Sequence, residues 1–291
     1  YKNEIVKTLY IGGGTPTSLN LKQLEKLFKI LDNLNTDKNA EISIECNVED
    51  LTAEKLEFLK DKVNRLSIGV QSFNPKILKL LGRKPVNIDN IKLAQNYFEN
   101  INIDLMYGFN NQSLEDLKKD LDLFISLDLA HLSAYSLILE PHTKLYISGY
   151  QLQNEDTKFE DYINKILLKK GYNHYEISNY AKKDCESKHN LVYWNNEHYY
   201  GFGLGASGYL EDIRYENTRN LKKYLQGDYL YEEHKLDLNE TVQNEFILGL
   251  RKINGINKKN FQKKYGFSLL EIEQVQALIN QKLIVNKEDY I

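Results

Sequence analysis

Cysteine is nearly missing from this 291-residue chain: Cys46 and Cys185 are the two present, far apart in sequence. Two separated thiols exclude a disulfide framework and fit a reducing, cytoplasmic setting. An excess of one charge is missing too. The 38 Lys and Arg stand against 41 Asp and Glu, a formal net charge of −3. That excludes global attraction to nucleic acid or to an anionic membrane surface. No signal peptide and no long apolar run is visible, so no membrane span is expected. There is no Walker loop, dinucleotide fingerprint, Ser/His/Asp arrangement or closed zinc spacing. What is present is 42% hydrophobic and 27% charged, the range of globular domains. The length allows one large domain and a small one.

The first half alternates short apolar runs with amphipathic ones. Strands are predicted over Ile5–Ile11, Glu41–Glu45, Arg65–Val70, Ile101–Met106 and His131–Ile138. Helices are predicted near Leu21–Asn33, Thr52–Asp61, Lys76–Leu81, Ile88–Phe98 and Leu114–Ser126, with Thr52 as an N-cap. Such alternation argues for an α/β fold, a parallel sheet with helices outside, as a barrel or partial barrel. A doubly wound open sheet is the rival. After Pro141 the pattern changes: Asp156–Lys169 reads as a helix, then comes a Tyr-, Asn- and Gly-rich stretch over Tyr172–Tyr209. From Leu238 two or three short helices lead to a strand-like Leu283–Ile291, a small winged-helix-like appendage without a concentrated basic face. The expected division is 1–145, 146–236 and 237–291. Both ends read as cut.

In a parallel barrel, functional groups gather where the strands end. Those positions hold Gly12-Gly-Gly-Thr-Pro16, Glu45, Gln71 leading on to Arg83, Asp104, and the stretch around Leu137 and Ile138. Polar groups are therefore expected at one end of an otherwise apolar barrel. Glycines let backbone approach a ligand closely, although a glycine turn alone is equally a tight turn. Glu45, Gln71 and Asp104 suit hydroxyls or an amino group, and Arg83 offers a fork for a carboxylate. Each singly reads as a surface or structural residue; together they favour a small zwitterion bearing a sugar.

These residues carry a resemblance. Ile11-Gly-Gly-Gly-Thr-Pro-Thr-Ser-Leu19, Ser67-Ile-Gly-Val-Gln-Ser-Phe73 with Leu81-Gly-Arg83, and Asn102-Ile-Asp-Leu-Met-Tyr-Gly108 resemble motifs of the oxygen-independent coproporphyrinogen III oxidase-like radical S-adenosylmethionine family. The resemblance implies a partial (β/α)6 barrel and S-adenosylmethionine as cofactor. By position, Gly13, Gly14 and Thr15 would hold its amino end and Arg83 its carboxylate. Glu45, Gln71 and Asp104 would meet ribose or the sulfonium neighbourhood, and backbone near Ile138 the adenine. The family's C-x-x-x-C-x-x-C motif for a 4Fe–4S cluster is absent from these residues and is expected upstream of Tyr1. Cys46 reads as structural and Cys185 as no ligand, so this chain alone is expected to hold no cluster and to be inactive.

Tyr175-Glu-Ile-Ser-Asn-Tyr180, His189-Asn-Leu-Val-Tyr-Trp194 and Gly201-Phe-Gly-Leu-Gly-Ala-Ser-Gly-Tyr209 are similar to the haem-chaperone branch of the family. That branch implies haem or porphyrin as ligand and an acceptor haemoprotein of a respiratory chain as partner. The alternative is the oxidase itself, a radical decarboxylation of porphyrinogen propionates. His189 would contact haem, with Tyr193 and Trp194 against the macrocycle; otherwise His189 bonds backbone and Trp194 anchors a loop. The branch has Gly-Ala-His where Gly205-Ala206-Ser207 stands here, which puts a contact at Ser207 in doubt. His131 is expected at a barrel end or on the surface, and His142 in a loop at the same mouth.

Overall fold

The computed structural model describes residues 4–152 and 156–291. The chain forms two compact units, one of residues 1–174 and 178–189, the other of 175–177 and 190–291. The first contains β1 (Val6–Ile11), α1 (Leu21–Leu31), β2 (Thr36–Asn47), α2 (Ala53–Leu59), β3 (Arg65–Gln71), α3 (Pro75–Leu80), α4 (Ile88–Gln95), β4 (Ile101–Tyr107), α5 (Leu114–Ser126) and β5 (His131–Ser136). Next come α6 (Lys144–Ile147), α7 (Asp156–Lys169), β6 (Asn173–Glu176), β7 (Asn179–Ala181) and α8 (Lys188–Trp194), where the chain passes into the second unit.

β1 to β5 pair in parallel and in chain order, and β7 adds antiparallel to β5. The strands curl into a half-barrel, so the α/β reading is right and the doubly wound rival is not needed. Helix starts are fixed locally. Asn20 and Ser113 form capping boxes with Gln23 and Asp116, and the Thr52 hydroxyl accepts from the Lys55 amide, each satisfying donors the helix cannot.

Alternation along each strand divides the sheet. Ile44, Cys46, Leu66, Ile68, Val70, Ile103, Leu105 and Leu132 join the apolar core with Leu24, Leu56, Ile91, Leu121 and Phe124 of the helices. Phe159, Ile163 and Leu167, spaced by four on α7, extend that core. Residues of opposite parity face away from the helices: Thr8, Tyr10, Glu41, Ser43, Glu45, Arg65, Ser67, Asn102, Asp104, His131 and Ser133. This corrects the expectation of an apolar barrel with polar groups at one end. A closed barrel fills its interior with layered branched side chains; here the inner face is polar along β2 and β3 and along β4 and β5 as far as Asp104 and Ser133, beyond which the paired Met106 and Tyr135 follow.

The second unit holds β8 (Ser207–Leu210), β9 (Ile213–Asn217), α9 (Leu221–Leu225), β10 (Leu230–Lys235), α10 (Leu238–Gly249), α11 (Lys258–Tyr265) and α12 (Glu273–Asn280). β8, β9 and β10 form an antiparallel sheet, and the helices close on Ile256, Phe261, Leu269, Val275 and Ile291. The strand expected over Leu283–Ile291 does not form. The polar run Asn286-Lys-Glu-Asp289 interrupts the alternation. The Lys287 amide instead donates to the Tyr290 carbonyl, Tyr290 bridges to Asn257, and Ile291 exchanges both backbone bonds with Ile256.

The glycine series has a packing reason at Gly208. A Cβ there would lie 2.1 Å from Cζ of Tyr215, whose hydroxyl accepts from the Gly201 amide at 2.9 Å. Gly208→Ala must push that ring aside and break the bond. It is expected to destabilise the second unit by about 1–3 kcal/mol, the usual cost of overpacking, read as a lower urea midpoint with an unchanged slope.

Candidate functional site

The site begins at the tip of β1. Gly13 and Gly14 have φ of +84° and +153°, a region that penalises a Cβ. The Gly13 amide donates to Oε2 of Glu45 at 3.1 Å, and the Tyr10 hydroxyl donates to Oε1 at 3.0 Å. A Cβ on Gly12 would meet that carboxyl at 2.8 Å. Asn47 Nδ2 donates to the Thr15 hydroxyl at 3.0 Å. Glu45 at the end of β2 therefore fastens the glycine loop, while Gly13 and Gly14 face open space.

At the tip of β3 the backbone bulges and Gln71 takes φ +69°, unusual for a side chain with a Cβ. Buried Asp120 on α5 holds this turn, accepting from the Ser72 hydroxyl at 2.6 Å and the Phe73 amide at 2.9 Å. Arg83 returns to the strand, its Nη1 donating to the Gly69 carbonyl at 3.0 Å. The Gln71 amide and the Arg83 guanidinium thus both lie over Gly69, whose register partner on β4 is Asp104. Burial pushes the Asp104 carboxyl above its ordinary range. Hydrogen bonds from Asn102 and Ser133 and the charge of Arg65 oppose this, and Glu45 adds to it. Ile138 follows β5 with its side chain 71% exposed. Gly13, Gly14, Thr15, Glu45, Gln71 and Ile138 lie at or just past strand ends on the C-terminal side of one sheet, Asp104 sits midway along β4, and Arg83 reaches β3 from the loop after α3.

Sequence reasoning missed Tyr10, whose hydroxyl is pushed up by burial and then by the Glu45 charge. Its signal was the shared parity of Thr8 and Tyr10 on β1. Also missed was the layer beneath the strand tips, centred on Asn102. Its Nδ2 donates to Ser67 and to Asp104 at 2.9 Å each, and its Oδ1 accepts from Ser133 at 3.0 Å and lies 2.6 Å from His131 Nδ1. His131 is fully buried on the inner face, not at a barrel end or on the surface. Burial, and then the Arg65 charge, drive its pKa far down and keep the ring neutral.

His189 lies in the first unit. Its Nδ1 is 2.9 Å from the Thr8 hydroxyl, and its ring stacks on Tyr10 at 5.3 Å. Burial lowers its pKa to about 4. Buried Glu41 accepts from the Lys188 amide at 2.9 Å and the His189 amide at 3.1 Å, capping α8. Cys46 is buried in the core with its thiol pushed up to about 12 by burial. Among the described residues no group of three His, Cys, Asp or Glu could hold a metal ion. The cysteines present therefore do not fit a 4Fe–4S cluster. The glycine cradle, carboxylates and guanidinium do suit S-adenosylmethionine. No helix of the described residues is long and apolar enough to cross a membrane.

The Radical SAM superfamily model matches residues 1–124, the stretch that holds β1 to β4. Two curated relatives extend the match to the whole chain. Heme chaperone HemW of Lactococcus lactis is 41% identical, over 100% of this chain and 81% of the relative. Heme chaperone HemW of Bacillus subtilis is 40% identical, over 98% and 81%. The chain belongs to the HemW family. The solved coproporphyrinogen III oxidase HemN of Escherichia coli superposes with a TM-score of 0.82, covering 98% of this chain and 73% of that one, at 22% identity. That likeness concerns the fold.

Proposed function

We propose that this protein is a haem chaperone, which binds haem and passes it to an acceptor haemoprotein, with S-adenosylmethionine held at the strand tips. The observation that carries the reading is the 41% identity over the entire chain, second unit included. The oxidase alternative has a likeness of fold alone on its side. In the cofactor site, the Gly13–Thr15 loop would take the amino end and Arg83 the carboxylate. Glu45, Gln71 and Asp104 would meet the ribose and the sulfonium neighbourhood, and backbone at Ile138 the adenine. Bound there, the cofactor supplies an activated alkyl group on sulfur. The protein's own part is to hold it: Glu45 keeps the loop open, and Asp120 keeps Gln71 in its left-handed turn. For haem, His189 is a candidate contact.

Haem titration against porphyrinogen turnover, on full-length protein reconstituted with iron and sulfide, separates the two readings. Saturable haem uptake without turnover supports the chaperone, and decarboxylation dependent on S-adenosylmethionine would sink it. At the cofactor site, Arg83→Ala is expected to weaken S-adenosylmethionine binding about 10- to 100-fold, since a charge-assisted hydrogen bond contributes about 1.5–3 kcal/mol. Stability should barely change, because Arg83 is exposed. Equilibrium dialysis with labelled cofactor gives the ratio, and equal affinity would remove Arg83 from the site.

A further inference from the structure

The second unit carries a cavity of about 350 Å³ lined by Tyr193, Trp194, Asn196, Tyr199, Ser207 and Arg214. Three of its walls are aromatic. Tyr193 and Tyr199 meet edge to face at 4.6 Å, and Arg251 caps the Trp194 ring at 4.4 Å. Two buried donors on the lining have no hydrogen-bond partner among the described residues: Nε1 of Trp194 and Nε of Arg214. Arg214 spends Nη2 on Asn196 at 2.8 Å and lies 4.4 Å over the Tyr209 ring. No ion pair joins Arg214 or Arg251 to a carboxylate among the described residues. Glu197, on the same rim, accepts from Asn195 at 3.1 Å.

Each buried donor without an acceptor costs about 1–3 kcal/mol, and native proteins leave few of them. Two orphaned N–H groups, one of them on a guanidinium that bonds Asn196 and Tyr199 but faces no carboxylate, call for an anionic oxygen acceptor. Aromatic walls call for a flat apolar ring next to it. Ser207 lines the same space and adds a hydroxyl. The volume lies at the low end of the roughly 300–1,000 Å³ of small-molecule pockets, so it admits an edge of a macrocycle and not the whole.

We propose that this cavity is a carboxylate clamp: Arg214, with Trp194 Nε1 and Ser207, grips a propionate of haem while Tyr193 and Tyr199 flank the ring edge. The proposal rests on the haem-chaperone reading and specifies where and by what chemistry the porphyrin edge is held. It assigns recognition in this unit to the propionates, not to iron.

The test compares three probes on the full chain by difference spectroscopy and fluorescence quenching: haem, iron-free protoporphyrin IX, and haem dimethyl ester, whose propionates are blocked. Wild-type protein should bind haem and protoporphyrin comparably and the ester at least tenfold more weakly. Arg214→Gln should lower haem affinity about tenfold or more, the range of a lost charge-assisted bond, and leave the ester unaffected. Because Arg214 also supports Asn196 and Tyr209, Ser207→Asp serves as a second variant. It places a competing carboxylate on an exposed lining position and should lower haem affinity while leaving the thermal midpoint unchanged. Equal binding of haem and ester by wild-type protein overturns the clamp and leaves the chaperone reading standing. So does a folded Arg214→Gln that binds haem normally. Wild-type protein that takes up neither haem nor protoporphyrin overturns the chaperone reading, and the clamp with it.

Discussion

Asn102→Leu is expected to lower the unfolding free energy by roughly 4 kcal/mol or more. The two side chains share the same branching and number of heavy atoms, and Leu is the larger, so no cavity term enters. What is lost is the amide that serves Ser67, Asp104, His131 and Ser133 at once, on a residue 2% exposed. A buried polar group stripped of its partner costs about 1–3 kcal/mol, more when it is charged. Asp104 is the expensive one: burial already raises its pKa, and the Asn102 bond is the largest opposing effect. Ser133→Ala, which removes one of the four partners, should cost only about 1 kcal/mol. The contrast between the variants is the check, since a network centred on Asn102 makes them unequal. Urea unfolding that finds both losses near 1 kcal/mol would show the inner face to be hydrated and the network incidental.

That network marks the boundary of what the amino-acid sequence made legible. Strand order was readable because apolar runs alternate with amphipathic helices, and parallel crossovers leave few topologies. The strand-tip residues were readable because each motif ends a predicted strand. The polar inner face was equally present in Ile101-Asn-Ile-Asp-Leu105 and His131-Leu-Ser-Ala134. It was overlooked because a barrel interior is ordinarily apolar, and a half-barrel relaxes that demand. His131 was misplaced for the same reason. Tyr10 carried no motif, and its role depends on Glu45 lying across from it on the neighbouring strand, a contact spanning 35 residues. The last strand failed in the opposite direction: Leu283-Ile-Val285 has the right residues but too few before the charged run.

The second unit was harder still, because its short elements gain their sense from contacts far apart in sequence. The clamp proposed above joins α8 to β9, and no periodicity announces such a pair. Gly208 is one glycine of a Gly-rich stretch until Tyr215 is seen to occupy the space of its missing side chain.

His189 is expected to make stability depend on pH. Its folded-state pKa of about 4 lies below the unperturbed 6.5 because burial disfavours the charged ring. The unfolded chain therefore binds the proton more readily between those values. The contribution of the neutral ring is complete above pH 6.5 and is lost as the pH falls towards about 4. At about 1.36 kcal/mol for each pH unit between the two values, the loss amounts to up to about 3 kcal/mol. His189→Phe keeps a ring to stack on Tyr10 but cannot be protonated. It should cost a constant 1 kcal/mol or so for the Thr8 bond and flatten the stability curve across that window. Carboxylates and His131 titrate in both proteins, so the difference between the curves isolates His189. Parallel curves would mean that the ring is solvated in the folded state. The same variant bears on haem independently of stability: a neutral imidazole is the form that coordinates iron, so weaker haem binding at pH 7.5 would keep His189 as a contact. Unchanged affinity would leave it as the buried hinge between Thr8 and the cap on α8.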